Sequence, residues 1–193
     1  LEVAGKATFI TQRLETSVIQ PYILGRDSNL TGAINFQRDD VPSFEGETFL
    51  TTAELQKDFA QYYSSFGSFN VQFSKVQKSA RRTPEEQSRE NFFLTFFNTG
   101  LERDTTDNIL NPTRGWVVST GLESSFRALF SDVNYLKGTV ELRGYKKLYR
   151  MVLAKKITMG VIQPFGNTGT FDIPIFKRFF AGGSTSMRGY PFQ

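Results

Sequence analysis

The stretch "GWVVSTGLESSF", residues 115–126, decides the fold. Taken two at a time, it sets Trp116, Val118, Leu122 and Phe126 against Ser119, Glu123 and Ser125. A period of two means a strand with one apolar and one polar face. The next segments repeat the pattern. "YLKGTVELRGY" (135–145) places Leu136, Val140 and Leu142 opposite Lys137, Thr139, Glu141 and Arg143. "YRMVLAKKITMGV" (149–161) collects Tyr149, Met151, Leu153, Ile157, Met159 and Val161 on one face.

Upstream the same alternation recurs. "SFNVQFS" sets Phe69, Val71 and Phe73 against Ser68, Asn70 and Gln72, and "NLTGAINFQRD" sets Leu30, Ile34 and Phe36 against Asn29, Thr31, Asn35 and Gln37. "RLETSVIQPYI" opposes Leu14, Val18 and Tyr22 to Arg13, Glu15 and Ser17, and "EVAGKATFITQ" opposes Val3, Ala7 and Phe9 to Glu2, Lys6, Thr8 and Gln12. "NFFLTFFNTGL" (91–101) is apolar on both faces, which leaves its orientation open. Residues 51–66, "TTAELQKDFAQYYSSF", dissent: Leu55, Phe59, Tyr62, Tyr63 and Phe66 recur at helical spacing, and Thr51 with Glu54 resembles a capping box. A strand with Ala53, Leu55 and Phe59 on one face is the alternative, and both readings stay open.

Composition narrows the chemistry. The 193 residues include no Cys and no His, which removes disulfides, thiolate chemistry and the commonest general base and metal ligand. No metal site or cofactor is expected, and the prior for an enzyme is low. The net charge of +4 is mild and its cations are scattered, so no nucleic-acid surface is indicated. Twenty Phe and seven Tyr beside a mean hydropathy of −0.32 fit alternating faces better than one greasy core. No apolar run approaches the ~18 residues of a membrane helix. The first residues lack the basic start and apolar core of a signal peptide, so the sequence reads as mature, truncated or a segment.

Connections at 38–47 and 77–91 read as long, polar and charged, and those at 24–29 and 144–148 as short. Alternating long and short connections between two-faced strands describe a transmembrane β-barrel. A soluble sandwich also alternates but turns its apolar face inward. Strands of about 9–12 residues and aromatics near strand ends favour the membrane barrel.

The last residues, "RFFAGGSTSMRGYPFQ" (178–193), carry a family resemblance. They resemble the sixth extracellular loop of the outer-membrane β-barrel assembly family, the BamA/TamA superfamily. That loop has an aromatic pair, Gly-Gly, a Ser/Thr run and then Val-Arg-Gly-Phe/Tyr. The matching positions are Phe179, Phe180, Gly182, Gly183, Ser184, Ser186, Met187, Arg188, Gly189 and Tyr190, with Met187 where Val or Ile is usual. "DIPIFKRFF" before it resembles the approach to this loop. "LNPTRGWVVSTGLESS" (110–125) resembles the Pro-Thr-x-Gly periplasmic turn of the family, with Pro112 fixing φ and Gly115 allowing the return into a strand. "SVIQPYILGRDSNLTGAINF" resembles the fourth and fifth strands around their turn.

The resemblance covers nearly all of residues 1–193 and implies an all-β, antiparallel transmembrane β-barrel domain. About nine strands of an expected sixteen are present, the third to the eleventh, plus the sixth loop. The closing strands and the periplasmic POTRA domains fall outside it. Because exposed strand edges are costly in lipid, the sequence is expected to be a segment of a longer protein.

The implied function is that of a BamA-like core subunit, folding and inserting β-barrel proteins into the outer membrane of a Gram-negative-type bacterium without catalysis. Implied partners are outer-membrane lipids, nascent β-barrel proteins, accessory assembly lipoproteins and periplasmic chaperones. A TamA-like translocation and assembly barrel and a two-partner secretion transporter are the alternatives. In the family the loop arginine, here Arg188, grips an acidic residue on a later strand. Glu123 or Glu141 is a less favoured partner. Glycine-rich phosphate binding is not supported, because no Lys follows the Gly-Gly as in a P-loop. The acidic pairs Asp39-Asp40 and Glu85-Glu86 and the basic pairs Arg81-Arg82 and Lys146-Lys147 read as solvated loop charge.

Overall fold

The computed structural model describes residues 2–7, 11–41, 44–79 and 91–179. Within them the chain forms one nine-stranded antiparallel sheet in which every strand pairs with its sequence neighbour. The strands are β1 (Glu2–Ala7), β2 (Thr11–Pro21), β3 (Ser28–Val41), β4 (Phe44–Ala60), β5 (Tyr63–Ser79), β6 (Asn91–Asp104), β7 (Gly115–Ser125), β8 (Tyr135–Leu148) and β9 (Met151–Pro164).

Register distributes the side chains. Val118 lies opposite Leu142, and Leu142 opposite Ile157; one residue along, Ser119 lies opposite Glu141, and Glu141 opposite Thr158. Directly opposed residues share a face, so one face carries Phe49, Phe69, Phe73, Phe97, Leu101, Trp116, Leu122, Val140, Ile157 and Met159, all exposed. The other face carries Thr48, Thr52, Asn70, Gln72, Glu102, Ser119, Glu123, Glu141 and Arg143. So many exposed large apolar side chains in one belt are the inverse of a soluble protein's surface and match a lipid-facing barrel wall.

The polar face is the inner one, because the chain returns over it. Residues 126–134 and 165–179 lie there, and a small core forms between them and the strands: Leu94, Phe96, Val133, Tyr135 and Ile173. Leu50 on β4 and Ile162 on β9 both pack against this cluster, which requires the sheet to curl. The core also explains why residues 91–101 are apolar on both faces. The outward Phe93 and Phe97 are exposed, while the inward Phe92, Leu94 and Phe96 lie under the returning chain.

Three expectations need correction. Residues 51–66 form no helix: they run along β4 into a turn at 61–62 and on into β5, because cross-strand pairing on both sides overrides local spacing. Residues 38–47 are not a long loop; β3 and β4 continue to a connection at 42–43. The turn placed at 144–148 lies at 149–150, since β8 reaches Leu148. The strands therefore outgrow expectation. β4 and β5 have 17 residues each, against the roughly 9–11 that cross a bilayer, so the hairpins project beyond the apolar band.

Candidate functional site

Two places on the strand scaffold gather specific chemistry: the segment that enters the Arg-Gly-Tyr motif, and the connection between β6 and β7.

The first begins where β9 ends. Phe165 N donates to the Asn134 carbonyl (3.3 Å) and Asn134 N to Thr168 Oγ1 (2.9 Å), tying the segment to the β7–β8 connection. Asp172 Oδ2 accepts from Gly169 N (2.7 Å) and sets a short 3₁₀ turn over Thr170–Asp172. Ile173 then enters the inner core, and Phe176 meets Phe92 edge to face at 5.9 Å. The second 3₁₀ turn, Ile175–Lys177, delivers Lys177 to the wall.

Lys177 Nζ lies 3.0 Å from Glu123 Oε1 on β7 and 3.5 Å from the centre of the Phe96 ring on β6. The same Glu123 oxygen accepts from the hydroxyl of Tyr135 on β8. Burial pulls the Lys177 ammonium below its ordinary pKa, and the Glu123 carboxylate opposes that pull. Lys137 Nζ donates to the Lys177 carbonyl (2.8 Å) and sits 4.6 Å from the centre of the Phe179 ring. The Phe179 ring sits against the backbone of β9: a Cβ at Gly160 would stand 2.4 Å from Phe179 Cζ. Arg178 turns back to its own segment, donating from Nε to the Ile173 carbonyl (3.0 Å) and from Nη2 to Phe171 (3.1 Å).

Glu141 is engaged elsewhere. Its Oε1 lies 3.2 Å from Arg143 Nε and its Oε2 lies 3.0 Å from Lys156 Nζ, while Arg143 Nη2 reaches Glu102 Oε2 at 3.5 Å. Both carboxylates offered from sequence as less favoured partners of Arg188 thus hold other cations. Of the motif residues, only Phe179 falls among those described; Phe180, Gly182, Gly183, Ser184, Ser186, Met187, Arg188, Gly189 and Tyr190 lie outside them, as do Arg81-Arg82 and Glu85-Glu86.

The second place is the connection at 105–114. Asp107 organises it: Oδ1 accepts from Thr113 N (2.8 Å) and Arg114 N (3.0 Å), and Oδ2 accepts from the Thr113 hydroxyl. These bonds, the Thr113 hydroxyl first, hold the Asp107 carboxyl well below the usual carboxylate range. Gly115 closes the connection at φ +109, where a Cβ would stand 2.4 Å from the Thr105 carbonyl oxygen. Pro112 and Thr113 lie in this connection, and Gly115 is the first residue of β7. Asp107 was not singled out from sequence, although an Asp heading a polar connection is a known turn-former.

These features sit on a scaffold with known relatives. A family model described as the Omp85 superfamily domain matches residues 1–193, so the chain belongs to the Omp85 superfamily. It is an outer-membrane β-barrel protein of the kind found in Gram-negative bacteria. Over 116 residues it is 30% identical to the outer membrane protein assembly factor BamA of Nitratidesulfovibrio vulgaris, covering 60% of this chain and 14% of that protein. Over 94 residues it is 31% identical to BamA of Neisseria meningitidis serogroup B, covering 47% of this chain and 11% of that protein. The crystal structure of BamA from Haemophilus ducreyi lacking POTRA domains 1–3 superposes with a TM-score of 0.83 at 18% identity, covering 98% of this chain and 40% of that one. The chain therefore spans well under half of each of these relatives.

Proposed function

We propose that this chain is the third to eleventh strands and sixth loop of a BamA-like barrel that folds and inserts β-barrel proteins into the outer membrane. The whole-chain Omp85 match, joined to two relatives that are assembly factors, carries the reading. No covalent chemistry is called for. An assembly barrel works by offering backbone edges to incoming strands, which is strand addition. The apolar outer belt meets lipid, and the polar inner face receives the Arg-Gly-Tyr loop. There Arg188 would brace the loop against an acidic residue, a task suited to a guanidinium with five donors. Its partners on this reading are nascent barrel proteins, outer-membrane lipids, accessory assembly lipoproteins and periplasmic chaperones.

The test is reconstitution of the full-length protein in liposomes with an unfolded outer-membrane barrel as substrate. Faster appearance of the folded, heat-modifiable substrate supports the reading. Folding at the rate of empty liposomes overturns it. Depletion in cells adds a second arm: loss of many outer-membrane barrels supports an assembly core, whereas loss of one exported protein indicates a secretion transporter instead.

A further inference from the structure

We propose that Lys177 is a positioning residue for the Arg-Gly-Tyr loop, fastening its entry to β7, β8 and β9 through contacts that do not involve Arg188. The inference rests on the reading above that residues beyond 179 form a loop inside the barrel.

Three consecutive residues carry it. The Lys177 ammonium reaches Glu123 on β7, the Lys177 carbonyl accepts from Lys137 on β8, and the Phe179 ring lies on Gly160 of β9 beneath the Lys137 ammonium. Arg178, between them, closes back on Phe171 and Ile173 and stiffens the segment it belongs to. Lys177 is a buried cation, and a buried cation left without its counter-ion is strongly unfavourable. The segment therefore cannot settle anywhere on the inner face that lacks a carboxylate. Glu141 is engaged by Arg143 and Lys156, and Glu102 by Ser119 and Arg143, whereas Glu123, held in place by the Tyr135 hydroxyl, is the carboxylate that Lys177 reaches.

Gly160 supplies the second constraint. Any side chain there meets the Phe179 ring, so the ring's seat is the bare backbone of β9. Because the contacts fall on three neighbouring strands, they form only when β7, β8 and β9 are correctly paired. The direction in which the chain enters the loop is thus set before the first glycine of the motif.

The experiment uses the full-length protein in liposomes, with any other thiols removed and Ile173→Cys as a single reporter. Ile173 belongs to the segment and is buried in the inner core, so a maleimide reaches a thiol there only when the segment lifts. Glu123→Lys and Lys177→Glu are each expected to speed labelling at least about tenfold, while heat-modifiable migration on gels stays that of a folded barrel. The exchanged pair Glu123→Lys/Lys177→Glu is expected to label close to the parent rate. Unchanged labelling in both single variants overturns the proposal, as does an exchanged pair that labels as fast as they do.

Should the single variants lose folded migration, Lys177→Arg and Lys177→Met decide: protection retained by Arg and lost by Met supports the fastening, and equal protection overturns it. Arg188→Ala in the same background completes the set. A reporter that stays protected shows two separate fastenings; one exposed as in Lys177→Glu removes the claim of independence. None of these labelling rates depends on assembly activity, so failure of the functional reading in reconstitution is read separately.

Discussion

The inner face carries two clusters of the same chemistry in different surroundings. At one, Glu123 and Lys177 retain only 16% and 10% of their side-chain exposure. At the other, Glu141, Arg143 and Lys156 retain 27%, 36% and 52%. The first is closed over by Phe96, Tyr135 and the returning segment; the second lies on β8 and β9, nearer the turn at 149–150, and is more exposed. A dry pair is expensive to break because the surviving charge has no water, whereas a wet network gains little from any one member. The difference shows where this barrel spends its specificity. Among the described residues the wall's other ion pairs are more exposed, and the desolvated pair joins the wall to residues 165–179.

That contrast can be broken in order of expected effect. Glu123→Gln leaves the Lys177 ammonium buried beside a neutral amide and should destabilise docking of residues 165–179 by about 3–5 kcal/mol. Hydrogen exchange of that segment in the full-length protein measures it; protection equal to wild type would show that the pair carries no weight. Gly115→Ala comes next. It drives a Cβ into the Thr105 carbonyl at φ +109 and should cost about 3 kcal/mol, read as a lower unfolding midpoint of the barrel in urea.

Tyr135→Phe removes one donor from Glu123 while leaving Lys177 in place, so about 1.5–3 kcal/mol is expected. A loss in that segment smaller than for Glu123→Gln would confirm that the cation, not the hydroxyl, is the main partner. Glu141→Gln on the wet side should cost no more than about 1 kcal/mol and should shrink further in high salt. A loss matching that of Glu123→Gln would erase the comparison.

The smallest expected effect concerns pH. Asp107 has its folded pKa lowered, so its contribution is fully present above the ordinary carboxylate value near 4 and is lost only as pH falls through the lower folded value. Amide protection at Thr113 and Arg114 should accordingly survive mild acid. Loss of protection around pH 4 would show that the hydroxyl and amide donors do not hold the carboxylate.

Much of the wall was legible beforehand. Val118, Leu122, Val140 and Leu142 share the outer face and Glu123, Glu141 and Arg143 the inner one, as alternation required. Residues 51–66 were ambiguous because Leu55 and Phe59 satisfy both periods, and only pairing with β3 and β5 separates them. Residues 91–101 were ambiguous for the opposite reason. Phe92 and Phe96 face inward yet are apolar, since what covers them arrives from much later in the chain.

Alternation along each strand determined which side chains share a face, because a strand's two faces are a local property of the backbone; which face is the inner one follows from the chain that returns over it. Which interior charge meets which was decided by tertiary structure alone. Lys177 sits in a segment without period, "IFKRF", and nothing in that wording distinguishes a solvated lysine from a buried one. Its meeting with Glu123 depends on the curl of the sheet and on the path by which the chain returns across it. Those are set by the summed packing of Ile173, Phe176 and Phe179 against strands β6, β8 and β9.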